Sequence, residues 1–223
     1  MLTVISWIAV GLLLVTSIGL LLSRDWRWSL GFLAAQYLGM FWLVTLHWPF
    51  GLASVKLVTG WMACATLGVT RLDMSDGLQS NALRPKGVSK GLQTLESQRQ
   101  ETLESAHMPQ GYPFRLFASA IVVILVIAIT PQVEVAIPGV SRPVLASGLL
   151  LAGMGLLHLG LTAEVLRVTL GLLTVLAGFE ILYATVETSI LLAGLLVIVN
   201  LGLALAGAYL MSATPSEEAE EIE

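Results

Sequence analysis

Residues 189–211 read SILLAGLLVIVNLGLALAGAYLM, a run without a charged residue. An α-helix rises about 1.5 Å per residue, so such a run is long enough to cross a hydrocarbon core of roughly 30 Å. Comparable apolar runs lie at 168–186, 144–161, 114–129, 52–69, 29–46 and 2–22. The run at 114–129 is expected to end at Thr130-Pro131, and that at 29–46 at His47-Trp48-Pro49. In lipid the backbone must satisfy its own hydrogen bonds, so these runs are predicted to be helices. The dyad alternation of a membrane barrel is absent. The expected fold is therefore an all-α polytopic membrane bundle with about seven transmembrane helices.

Composition agrees. Hydrophobic residues make up 56% of the chain and charged residues 12%, about half the charged share of a typical soluble domain. The first run has no Lys or Arg before it, is too long for a leader, and lacks a small-residue cleavage site, so we read it as a retained helix. Cys64 is the single cysteine, which excludes an intramolecular disulfide and any multi-cysteine metal site. In an apolar helix it reads as a small packing residue.

Four regions follow: a three-helix membrane region at 1–70, a polar loop at 71–113, a four-helix membrane region at 114–211, and an acidic tail at 212–223. The loop's middle, 91–107, carries Leu92, Leu95, Leu103 and Ala106 at roughly helical spacing, which admits either a short surface helix or an irregular loop. Charges of both signs alternate through it, so it is not a nucleic-acid patch.

Orientation follows from the basic residues, which collect on the cytoplasmic side. With the N-terminus outside, the inner side receives Arg24, Arg27, Arg71, Arg84, Lys86, Lys90, Arg99, Arg115 and Arg167. The outer side receives Arg142, and Lys56 lies within a span. The opposite orientation inverts this split. The expectation is an N-terminus outside, a cytoplasmic acidic tail, and a place in the cell membrane. Trp26, Trp28, Trp48 and Tyr112 sit near span ends, where interfacial aromatics belong. Small residues four apart (Gly31, Ala35 and Gly39; Gly202 and Ala206; Leu203 and Gly207) mark faces on which helices can approach closely.

Ionisable residues inside a membrane are costly, and each is a functional hypothesis. Glu180 leads. It lies thirteen residues past Arg167, about 20 Å along a helix, and seven before Glu187. A carboxyl so placed can exchange a proton when water or a partner arrives; the plainer alternative is a Glu hydrogen-bonded to a neighbouring helix. Lys56 lies four residues into its span. It either snorkels outward or points inward toward a carboxylate of a partner subunit. His158 is a possible proton shuttle or a packing residue. Gln36 and Asn200 can hydrogen-bond between helices, and Asn200 falls where it could face Glu180 across a helical hairpin.

No phosphate-binding glycine loop, G-x-S-x-G, H-E-x-x-H or Cys-pair motif occurs. No catalytic, cofactor-binding or metal-ligating residues are assigned, no cofactor is expected, and the chain on its own is not expected to be an enzyme.

The segment Gly178-Phe179-Glu180-Ile181-Leu182-Tyr183-Ala184 resembles the G-[IL]-E-[LIM]-x-x-[NA] segment of subunit K of respiratory complex I, and 155–211 looks like its three helices. Ser29-Leu30-Gly31-Phe32-Leu33-Ala34-Ala35-Gln36, with its G-F-x-x-x-Q pattern, and Lys56 ahead of the polar loop resemble membrane component E of hydrogenase-4-type complexes. The resemblance implies a non-catalytic membrane subunit of a complex I, group-4 hydrogenase or cation/proton antiporter-related assembly, of NADH:quinone oxidoreductase or hydrogenase type. It implies antiporter-like partner subunits and a proton pathway through Glu180, to which Lys56, His158 and Asn200 are candidate contributors. One departure stands out. Asn200 occupies the position where subunit K usually carries a second Glu, which puts a two-glutamate relay in doubt. The rival readings are a stand-alone transporter and a structural scaffold.

Overall fold

The computed structural model describes residues 2–82, 111–137, 139–186 and 189–213. Among them are seven helices: α1 (Leu2–Leu22), α2 (Trp26–Val44), α3 (Phe50–Ala82), α4 (Tyr112–Ala136), α5 (Arg142–Leu161), α6 (Val165–Val186) and α7 (Ile190–Ala213). Six are long and apolar enough to cross a membrane, which makes this a multi-pass membrane protein by length and hydropathy. The helix outside that set is α2, whose apolar run is diluted by Trp26, Arg27, Trp28, Gln36, Tyr37 and Trp42. The possible surface helix at 91–107 and the tail from 214 onward lie outside the described residues.

Two expected boundaries move. The loop expected from Arg71 begins later, because α3 continues to Ala82. The turns after Thr70, Arg71-Leu72-Asp73-Met74-Ser75, are polar but contain no Gly or Pro, and the helix runs on through Gly77 to Ala82. Nor does α4 end at Thr130-Pro131; it continues to Ala136 with Pro131 inside. A proline removes one backbone donor. The bond it forgoes is the one to the Ile127 carbonyl; beside it, Thr130 Oγ1 donates to the Val126 carbonyl at 2.6 Å, a side-chain bond within the helix that leaves the Ile127 carbonyl as it is.

The helices form two layers of three. In one, α2 packs between α1 and α3; in the other, α6 packs between α5 and α7. Across the layers α1 meets α5, α2 meets α6 and α3 meets α7, while α4 lies outside the layers against α5 and α1. Burial follows: 56% of the apolar window of α6 is buried, against 17% for α4. The outward faces of α4 and α7 present Phe117, Ile124, Ile127, Leu191 and Ile198, a surface that suits lipid and not water.

Glycine sets the closest approach, between α5 and α6. A Cβ at Gly178 would sit 2.6 Å from the Ala152 nitrogen and 2.7 Å from the Gly148 carbonyl oxygen, and one at Gly155 would sit 2.7 Å from the Val175 nitrogen. Because the obstacles are backbone atoms, side chains at these positions would push the helices apart. Of the small-residue stripes expected from sequence, Gly39 abuts Leu13 and Gly207 abuts Thr169. Gly31 and Gly202 have nothing within 4 Å of a built Cβ.

Candidate functional site

The site is built from α2, α3, α6 and α7, the four helices at one end of the two layers. On α3 the buried positions Ala53, Lys56, Thr59, Gly60, Ala63, Cys64 and Leu67 recur at helical spacing, while Val55, Val58, Trp61 and Val69 face outward. Lys56 thus lies on the packing face and is 3% exposed. It does not snorkel, and its carboxylate belongs to this chain and not to a partner subunit. Lys56 Nζ is 2.5 Å from Glu180 Oε1 on α6. Ala53, Gly60 and Ala63 share this buried face with Lys56.

Glu180 is 2% exposed and continues the buried face of α6 formed by Leu173, Thr174 and Ala177. It lies six residues from the end of α6, and Lys56 lies six residues from the start of α3. Each is therefore about 9 Å inside its helix. Beyond them, one turn outward, the Tyr183 ring stacks on Phe179 (centroids 6.1 Å apart, interplanar angle 21°) and meets Trp48 edge-on (6.3 Å, 88°). Trp48 lies between α2 and α3, at the span ends as expected, but it is 4% exposed and packs into the bundle.

Beside the ion pair lies a second buried contact. The Tyr37 hydroxyl of α2 donates to Asn200 Oδ1 of α7 at 3.1 Å. Asn200 is fully buried and Tyr37 is 2% exposed. The ring of Tyr37 rests on Gly60, where a Cβ would come within 2.4 Å of it. Gly60 is one turn along α3 from Lys56, and Tyr37 lies within electrostatic reach of Glu180. The amide of Asn200 therefore answers Tyr37, not Glu180 directly. Glu180 Oε2 and Asn200 Nδ2 have no hydrogen-bond partner among the described residues.

Comparison with family models, with curated proteins and with solved structures finds no match.

The structure brings Glu180, Lys56 and Asn200 into one region and leaves His158 out of it. His158 is buried, three residues before the end of α5, and neither ring nitrogen has a partner among the described residues. Since α5 and α6 run antiparallel, His158 and Glu180 lie near opposite ends of the bundle, roughly 18 Å apart in depth. Gln36 is 1% exposed, and neither atom of its amide is bonded to a described residue. Among the described residues no three His, Cys, Asp or Glu side chains are placed to hold a metal ion. Tyr37 is the site residue that the sequence reading passed over. Its signal was its place on the stripe Leu33, Tyr37, Met40, Val44, which puts a hydroxyl on the core face of α2.

Proposed function

We propose that the chain is a seven-span subunit of a larger membrane assembly of the complex I, group-4 hydrogenase or cation/proton antiporter kind. In this reading its N-terminus is outside, its C-terminus is cytoplasmic, and the Lys56–Glu180 pair is its protonatable centre. The observation that carries the reading is the burial of that pair at 2.5 Å between two helices. A buried ion pair adds little net stability compared with apolar packing, so stability alone does not account for it. Ionisable groups at membrane depth are typical of ion and proton pathways.

The chemistry is simple. A proton can reside on Nζ or on Oε1 with little heavy-atom movement, and a charge arriving nearby shifts that balance. Glu180 Oε2 is buried and has no hydrogen-bond partner among the described residues, which leaves an acceptor for a water molecule inside the bundle. Asn200 cannot carry a proton as a carboxylate does. Onward transfer from the buried pair then needs water inside the bundle to link it to a partner, with Tyr37 and Asn200 fixing the wall beside it. Orientation has structural support as well. Arg24, Arg115 and Arg167 lie at the end of α1 and the starts of α4 and α6, and Arg71 of α3 reaches the same side by pairing with Glu164, whereas Arg142, at the other, is paired with Glu134 at 2.5 Å. The seventh span is α2, which packs between α1 and α3 along the same bundle.

The test is mild-detergent purification from native membranes through a tag on the acidic tail, followed by mass spectrometry. Stoichiometric antiporter-like, quinone-reducing or hydrogenase-type subunits are the expected result. A monodisperse chain without partners would overturn the subunit reading in favour of a stand-alone carrier.

A further inference from the structure

We propose that the bundle end remote from the Lys56–Glu180 pair holds a binding site for the phosphate of an anionic phospholipid. This rests on the membrane-embedded fold alone and not on ion translocation. A cavity of about 410 Å³ opens where α1 ends, α4 begins and α5 turns into α6, and Arg24, Arg115 and Arg167 line it together with Tyr112 and Glu164. The carbonyls at the end of α1 hold two of these arginines. Arg115 Nη1 donates to the Leu21 carbonyl at 3.0 Å, and Arg167 Nη2 donates to the Arg24 carbonyl at 3.3 Å. Glu164 does not neutralise the group, because it is shared between Arg167, at 3.0 Å, and Arg71. Positive charge is in excess, and guanidinium groups match phosphate oxygens in geometry.

The occupant is argued from what adjoins the cavity. Through Arg24 and Tyr112 it continues into a groove with Ser23 and Asp25 at its mouth and Leu22, Trp28, Phe32 and Gly19 along it; with Asp25 and Glu164 counted against Arg24, Arg115 and Arg167, the balance is still positive. The glycine makes room: a Cβ there would meet the Phe32 ring at 2.7 Å. Beside Tyr112, α4 turns exposed Phe114 and Phe117 outward. A soluble anion would need the arginines and not the stretch of Leu22, Trp28 and Phe32 beside them. An arginine-lined cavity at the helix ends that leads onto an aromatic, lipid-facing surface fits an amphiphile, with its phosphate on the guanidinium groups and its glycerol and acyl chains along the groove.

The test uses the full chain in mild detergent. Thermal unfolding is followed while dioleoyl-phosphatidylglycerol, dioleoyl-phosphatidylcholine or inorganic phosphate is added, and native mass spectrometry counts retained lipid. The expected result is stabilisation and retention by phosphatidylglycerol alone. The side chain of Arg24 is exposed and bonds to no described residue, so Arg24→Gln should fold normally. It should weaken phosphatidylglycerol binding about fivefold, while Arg142→Gln at the other end leaves it unchanged. Equal effects of the two lipids, an equal effect of inorganic phosphate, or wild-type binding by Arg24→Gln would each overturn the proposal.

Discussion

Replacing Lys56 with methionine removes the positive half of a pair whose members are 2.5 Å apart and almost wholly buried. At an effective dielectric of about 20, opposite unit charges at that separation attract by about 6–7 kcal/mol. Most of this offsets the cost of taking both groups out of water, so the net worth of the intact pair is small. Breaking it differs, because one polar group is left in an apolar core. Lys56→Met and Glu180→Gln should each lower the unfolding free energy by about 3–5 kcal/mol, whereas the double variant should come within about 1–2 kcal/mol of the parent. The assay is equilibrium unfolding in mixed detergent micelles, followed by tryptophan fluorescence, for the four members of the double-mutant cycle. Single variants that each lose less than about 1 kcal/mol, with an additive double, would refute this account of the pair.

Three further outcomes follow from the geometry. Tyr37→Phe removes one buried hydrogen bond to Asn200 and should cost about 0.5–1.5 kcal/mol, rising if the amide stays unpaired, by the same unfolding assay. Gly178→Ala drives a methyl into the Ala152 nitrogen and the Gly148 carbonyl and should cost about 1–3 kcal/mol, whereas Gly202→Ala, with nothing within 4 Å, should leave the melting temperature unchanged. In a Cys64→Ala background, Ser141→Cys should react with an impermeant maleimide on intact cells, and Ser75→Cys only after permeabilisation; labelling of both from outside would contradict the seven-span arrangement.

Much of the fold was legible because lipid imposes so simple a rule. A helix in hydrocarbon needs an uninterrupted apolar run, so residues 189–211 announce α7 almost to the residue. Ends were harder to read. Pro131 looks like a stop, but a proline costs a helix one backbone bond and does not have to end it, and here the helix continues to Ala136. The polar turns after Val69 look like loop, yet polarity alone does not end a helix. The candidate site was half legible. Glu180 was conspicuous as a lone carboxylate at depth. Lys56 was visible, but its direction was not, because hydropathy gives depth and not azimuth. Its azimuth was written in the small residues Ala53, Gly60 and Ala63, which mark the face that α3 turns inward. That the face meets Glu180, 124 positions away in the sequence, depends on how the two layers align, and local pattern does not record that. Tyr37 was missed because an aromatic on an apolar stripe reads as packing until its hydroxyl finds Asn200.

The central claim is that the Lys56–Glu180 pair moves protons and does not merely hold α3 to α6. The direct measurement is proton uptake by inverted vesicles from native membranes carrying the Lys56→Met/Glu180→Gln double variant, with assembly verified by co-purification of partner subunits. The account predicts an assembled complex whose proton uptake falls at least tenfold. Uptake at the wild-type rate by the assembled double variant would contradict it and leave the pair a structural contact.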